Sequence, residues 1–170
     1  MENLTPAASQ SQPAPLWATL TATFFYIGKL KPGPGTWGSA TTVLLWFGLS
    51  HWIAPHSQPF VAIVLSVAVI LIGIPAATRA AHAYGKKDPS FVVIDEVAGQ
   101  LITLIYASVT WKSLLIAFIL FRGFDIFKPP PIRQLERLPE GTGIVLDDVG
   151  AGLMALAVMQ LLIHYSILAR

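Results

Sequence analysis

Three stretches of this sequence carry charged side chains beside or inside apolar runs, and their types suit phosphate and divalent cations. In DPSFVVIDEVAGQ (Asp88–Gln100), Asp95 and Glu96 interrupt an apolar run. A membrane-embedded carboxylate costs about 2.5 kcal/mol or more when unpaired, which argues for a working role. Adjacent helical residues lie about 100° apart, so these two should diverge, one binding a metal while the other caps, accepts hydrogen bonds or reaches a second ion. An acidic pair favoured by the dipole of a helix N-terminus is the plainer alternative. Gly99, one turn after Asp95, leaves that face open to a neighbouring helix or a ligand.

The second stretch, Phe121–Gly152, holds Arg122, Asp125 and Lys128 at intervals of three, then the pair Asp147 and Asp148. On a helix the first three form a drifting stripe. Arg122 can grip a phosphate through its planar fork and Lys128 as a point charge, with Asp125 between them holding a cation. A salt-bridge ladder within the helix is the alternative. Gly141 and Gly143 read as a flexible turn, Asp147 and Asp148 as the opening of the last helix, and Gly150 and Gly152 as sites of close helix packing. The third stretch, KPGPGTWGS (Lys31–Ser39), offers tight glycine turns and the hydroxyls of Thr36 and Ser39 where a helix begins, either as part of an anion site or as helix caps.

Asp95, Glu96, Asp125, Asp147 and Asp148 would repel one another unless a cation neutralised them. All-oxygen ligands suit Mg²⁺, Mn²⁺ or Ca²⁺ rather than zinc. Arg122 and Lys128 beside them point to an anionic phosphate, and the combination is the equipment of phosphoryl chemistry. The chain has no cysteine, which removes disulfides, thiolate zinc sites, iron–sulfur clusters and a cysteine nucleophile. A formal net charge of +2 offers no footprint for nucleic acid. His51, His56, His82 and His164 lack paired ligand spacing and read as structural or interfacial.

The elements that must bring these residues together are membrane helices. Of the 170 residues only 12% are charged, about half the share usual in soluble domains. No Asp, Glu, Lys or Arg occurs from Pro32 to Thr78 or from Val149 to Ala169. A span needs about 20 apolar residues. The predicted fold is an all-α polytopic membrane bundle in residues 16–170, behind a disordered tail over residues 1–15. Leu16–Gly28 reads as a short interfacial or re-entrant helix, and spans are expected near Trp37–Ala54, Phe60–Thr78 and Val149–Ala169, with a charged loop over Arg79–Ser90. Residues between Phe91 and Phe127 could form one long span or a hairpin turning near Ser108–Lys112. The hairpin leaves Lys29, Lys31, Arg79, Lys86, Lys87, Arg122, Lys128, Arg133 and Arg137 on one side, against Lys112 and Arg170. The positive-inside rule therefore selects about five spans, with the acidic motifs facing the cytoplasm.

With these residues in place, the sequence resembles the phosphatidylglycerophosphatase A family of bacterial membrane lipid phosphatases. The resemblance runs from about Ile27 to Gly152 through PGTWGS (Pro34–Ser39), IDEVAG (Ile94–Gly99), FRGFDIFKPPPI (Phe121–Ile132) and GTGIVLDDVGAG (Gly141–Gly152). The chain departs from the family pattern at Gly141-Thr142-Gly143, where a further glycine is often found, and at Val145, where methionine often stands. The resemblance implies Mg²⁺-dependent removal of the terminal phosphate from phosphatidylglycerol phosphate, at the inner membrane. The family's acidic motif falls on Asp95 and Glu96, its arginine, aspartate and lysine on Arg122, Asp125 and Lys128, and its aspartate pair on Asp147 and Asp148. The expected metal ligands are Asp95, Glu96, Asp125 and Asp148; Glu96 and Asp147 are also candidates for general base. Arg122, Lys128, Thr36 and Ser39 are expected at the phosphate. The rival reading is a small divalent-cation transporter, which would carry polar groups through its span centres to the far side.

Overall fold

The computed structural model describes residues 13–165, and among these it is all-helical. The helices are α1 (Leu16–Ala22), α2 (Pro34–Ser50), α3 (Gln58–Tyr84), α4 (Ile94–Thr103), α5 (Trp111–Phe127), α6 (Ile132–Leu135) and α7 (Glu140–His164), with 3-10 turns at Ile27–Lys29 and Pro55–Ser57. Most of the expected tail, residues 1–12, and the end of the expected last span, residues 166–169, lie outside the described residues.

Local chemistry sets the boundaries. Gly33 in the left-handed region followed by Pro34 opens α2. Gly85, also left-handed, closes α3, and the run Pro129–Pro131 follows the end of α5. Thr110 caps α5, its Oγ1 accepting from the Ser113 N–H at 3.3 Å. The chain between Phe91 and Phe127 is thus two helices and not one, with the break at residues 104–110, slightly earlier than the hairpin turn expected at Ser108–Lys112. The helix expected to stop near Thr78 continues to Tyr84. Arg79 is no loop residue: it lies over the Trp17 ring at 5.0 Å, and the helix ends only where Gly85 ends it.

The interior is built from small residues. On α3 the buried positions are Ala62, Ser66, Gly73, Ala76, Ala77, Ala80 and Ala81, while Phe60, Ile63, Val67, Leu71 and Ile72 face outward. Small residues inside and large apolar ones outside are the pattern of helices packed in lipid. Two helical stretches, Pro55–Tyr84 and Glu140–His164, are long and apolar enough to cross a membrane. The 17-residue α2 and α5 reach about 25 Å each, the 10-residue α4 about 15 Å and the 7-residue α1 about 10 Å. Complete crossing by five helices is therefore not given by helix length.

The helices nevertheless alternate in direction, and their ends sort into two groups. At one end lie the start of α2, the end of α3, the start of α4, the end of α5 and the start of α7. Thr78 Oγ1 accepts from the Gly141 N–H at 3.1 Å there, and His82 Nε2 lies 3.1 Å from Glu140 Oε1. At the other, Trp46, Pro55, Gln58, Leu104 and the segment Tyr106–Thr110 line a cavity of about 590 Å³. The buried α4 stands in the middle, against α2, α3, α5 and α7.

Candidate active site

The site is assembled where α4 begins. Asp95 and Glu96 occupy its first turn, where free N–H groups favour negative charge. From there Asp95 meets Asp148 of α7, and Glu96 lies beside Arg122 of α5 and Gly35 of α2. The expected divergence of the neighbouring carboxylates is overcome by side-chain reach. One ligand atom from each of Asp95, Glu96 and Asp148 lies within 4.8 Å of the others. Asp125 stands near Asp148 but pairs with Arg122, and the group of convergent ligand atoms holds Asp95, Glu96 and Asp148 without it.

Glycine contact permits this convergence. A Cβ on Gly152 would lie 2.9 Å from Gly99 Cα, and Thr103 Oγ1 donates to the Gly99 carbonyl at 3.0 Å and lies 3.4 Å from the Gly152 carbonyl. The backbones of α4 and α7 therefore touch, one helical turn beyond the carboxylates. Gly150 faces elsewhere, toward Leu135 and Ile132.

The cations have definite partners. Arg122 pairs with Asp125 three residues on and lies 3.7 Å from Glu96. Lys128 lies 2.5 Å from Asp147 and 3.7 Å from Glu136. The salt-bridge ladder is real for Arg122 and Asp125, but Lys128 crosses to α7. Burial works against the Lys128 charge, yet the Asp147 hydrogen bond and the charges of Asp147 and Glu136 outweigh it and push its pKa above the ordinary lysine value. The stability from this pair is therefore fully present below the usual lysine pKa and is lost only as pH rises through the higher folded value. Lys128→Met should cost about 2 kcal/mol in thermal or denaturant unfolding, less than a fully buried pair because Lys128 is partly exposed. Asp147→Asn in the same chain should recover most of that loss.

Other expectations are corrected. Asp147 and Asp148 do not open a helix; α7 starts at Glu140, and both lie two turns inside it. Asp147 Oδ1 accepts from the Asp148 N–H at 2.9 Å, and with Lys128 on its other oxygen it stands apart from the three convergent carboxylates. Gly141 and Gly143 form no flexible turn. They are buried in the first turn of α7, and a Cβ on Gly141 would lie 2.6 Å from the Thr78 N. Neither Thr36 nor Ser39 caps α2, because Gly33 does. Ser39 is buried and its hydroxyl donates to the Gly35 carbonyl at 2.9 Å, while Thr36 is exposed in the first turn. What α2 brings closest to the charges is Gly35, where a Cβ would lie 3.0 Å from Arg122 Nη1.

Two residues of this neighbourhood carried no distinguishing sequence signal. Asp88, in the loop before α4, lies in the field of Lys128, Glu136 and Asp125; loss of water raises its pKa, with Lys128 pulling the other way. Gln100 has the same helical phase as Glu96 one turn on, is 0% exposed, and neither end of its amide has a hydrogen-bond partner. None of the four histidines belongs to the cluster of convergent ligands.

The donor set consists of carboxylate oxygens. Asp95 Oδ1, Glu96 Oε2 and Asp148 Oδ2 are buried without a hydrogen-bond partner. Among the described residues neither Asp95 nor Asp148 forms an ion pair with a basic side chain. Orphaned, converging carboxylate oxygens match a hard divalent cation such as Mg²⁺. Arg122 and Lys128 stand at the edge of the cluster, Arg122 paired with Asp125 and Lys128 with Asp147. The described acidic residues all lie at or near this end, and the helices run apolar toward the other, which gives no support to a cation pathway.

The described residues thus form an all-helical bundle with buried carboxylates and two carboxylate-paired cations gathered at one end. The family model described as phosphatidylglycerophosphatase A matches residues 20–163. A Haemophilus influenzae protein named phosphatidylglycerophosphatase A is 35% identical over 142 residues, covering 82% of this chain and 85% of that protein. The Escherichia coli K12 protein of the same name is 30% identical over 148 residues, 86% of this chain and 83% of that protein. A Bacteroides thetaiotaomicron relative, provisionally named a phosphatidylinositol-3-phosphatase, is 36% identical over 141 residues, 78% of this chain and 85% of its own length. No solved structure matches. The chain belongs to the phosphatidylglycerophosphatase A family, a family of phosphoric monoester hydrolases.

Proposed function

We propose that this enzyme hydrolyses the terminal phosphate monoester of phosphatidylglycerol phosphate, giving phosphatidylglycerol and inorganic phosphate in phospholipid biosynthesis. The observation that carries the chemistry is the meeting of Asp95, Glu96 and Asp148 oxygens within 4.8 Å beside Arg122. The substrate follows from the family and from relatives named for it.

Asp95, Glu96, Asp125 and Asp148 would hold Mg²⁺. When bound, the ion polarises the phosphate and lowers the pKa of water. Arg122 and Lys128 bind the non-bridging phosphate oxygens and offset charge that builds on them. Asp147 holds Lys128 in position at 2.5 Å. Glu96 or Asp147 accepts the proton as water attacks phosphorus. The bond from phosphorus to the glycerol oxygen breaks, and the same carboxyl returns the proton to that oxygen, which leaves as the alcohol.

The same reading places the bundle in a bacterial inner membrane. α2, α3, α4, α5 and α7 make five traverses, the short α4 completed by residues 104–110. Lys29, Lys31, Arg79, Lys86, Lys87, Arg122, Lys128, Arg133 and Arg137 fall at the site's end and Lys112 at the other, so the site faces the cytoplasm. The lipid tails then stay in the bilayer while the headgroup meets the charges.

Purified full-length protein should release inorganic phosphate from phosphatidylglycerol phosphate with Mg²⁺, lose that activity in chelator, and regain it when Mg²⁺ is restored. No release under any of these conditions, together with divalent-metal flux in proteoliposomes, would overturn the enzyme reading.

A further inference from the structure

Between α2 and α5, on the outside of the bundle, runs an apolar groove of about 460 Å³, lined by Ala40, Val43 and Phe47 from one helix and Leu114, Leu115 and Phe118 from the other. An apolar groove on a lipid-facing surface carries little by itself. This one is set apart by what stands at its head.

Each wall is one stripe of a helix, and each stripe changes character at the same end. On α2, Thr36, Ala40, Val43 and Phe47 recur at helical spacing, an exposed hydroxyl followed by apolar side chains. On α5, running the other way, Arg122 is one turn from Phe118, which is followed by Leu115 and Leu114. Gly35 closes the gap at the top: a Cβ there would meet the Glu96 carboxylate first and lie 3.0 Å from Arg122 Nη1, so the first turn of α2 rests on the Glu96–Arg122 pair. Arg122 and Thr36 do not line the groove itself; they stand one helical turn beyond Phe118 and Ala40, which do, and Arg122 lies 3.7 Å from Glu96, while the groove's own lining is apolar. A ligand matched to both parts has a phosphate at one end and an acyl chain at the other.

We propose that this groove seats one acyl chain of the lipid substrate, which enters sideways from the bilayer between α2 and α5 with its phosphate leading to Arg122. The proposal rests on the phosphatase reading. It makes the groove a site where an acyl chain is held, separate from the carboxylates that do the chemistry. Its size lies toward the small end of ligand sites, room for one chain while the second remains among lipids.

The test compares two substrates with the same headgroup: dioleoyl phosphatidylglycerol phosphate in mixed micelles and its water-soluble deacylated form. Ala40→Phe fills the groove below Thr36. Leu71→Phe, on the outward face of α3 at a residue 68% exposed, adds the same bulk away from it. Ala40→Phe should lower kcat/KM for the dioleoyl substrate about tenfold or more, the scale on which hydrophobic pockets discriminate. It should leave the deacylated substrate unchanged, and Leu71→Phe should change neither. Equal losses on both substrates, no loss on the lipid, or the same loss from Leu71→Phe would overturn the groove. No phosphate from either substrate with the unaltered enzyme would instead overturn the phosphatase reading. If the unaltered enzyme acts on the lipid alone, a photoreactive diazirine at the end of the substrate's acyl chain decides. Labelling concentrated on α2 and α5 and removed by excess unlabelled substrate supports the groove; labelling spread evenly over α3 overturns it.

Discussion

Asp148→Asn is expected to abolish phosphate release and yet leave the metal-free bundle at least as stable as the unaltered chain. Both halves have one cause. Asp148 is 3% exposed, lies with Asp95 and Glu96 in one cluster, and faces no basic side chain among the described residues. Buried like charges without a counter-ion raise the energy of the folded state, and an amide removes one of them. The same amide would remove one of the carboxylates proposed to hold the divalent cation. Losing several kcal/mol of transition-state stabilisation should reduce kcat on the order of 10³-fold. Asp95→Asn should behave alike. A thermal melt in chelator and a phosphate-release assay in Mg²⁺ check the two halves separately. Lost activity with a strongly lowered melting temperature would show that the residue holds the fold, and would remove it from the proposed metal site.

Gly152→Leu is expected to do the reverse, breaking the bundle first and activity as a consequence. A side chain there must displace the backbone of Gly99, 2.9 Å away at Cα and 3.0 Å at the carbonyl carbon, and backbone in the centre of a packed bundle has nowhere to go. Overpacking costs typically 1–3 kcal/mol where side chains can shift, and about the top of that range or more is expected here. Prying α4 from α7 also separates Asp95 from Asp148. Gly150→Ala is the matched control: two residues away, its Cβ would lie 2.9 Å from Leu135 Cδ1, the movable tip of a side chain. Yield of monodisperse protein and its melting temperature should fall sharply for Gly152→Leu and little for Gly150→Ala. Equal tolerance of both would mean that the α4–α7 crossing does not set the site.

How far the site could be read from sequence follows from which forces act locally. Asp95, Glu96, Asp125 and Asp148 stood out because carboxylates are rare in apolar runs, and the one-sided distribution of Lys and Arg assigned their ends to a common face. The helical break between α4 and α5 followed from the same bias. Starts and stops were harder. Gly141 and Gly143 resemble a loop by intrinsic propensity, but contact with α3 at Thr78 outweighs that preference and begins α7 at Glu140. Arg79 looked like the start of a loop because it is charged, whereas Trp17, far away in sequence, covers it inside α3. Ser39 looked like an anion ligand until its neighbours showed the hydroxyl spent within its own helix. The partnerless amide of Gln100 left no trace in any periodicity, since it depends wholly on how α4 is surrounded.

Mn²⁺, which shares the oxygen preference of Mg²⁺ and is visible by electron paramagnetic resonance, gives the most direct measurement. Titrated into the purified full-length protein, it should fill a saturable class of sites that Mg²⁺ displaces and that Asp95→Asn or Asp148→Asn weakens severely, while Ala40→Phe leaves it intact. Mn²⁺ binding equally tight in the unaltered chain and in both asparagine variants would contradict a metal centre held between α4 and α7.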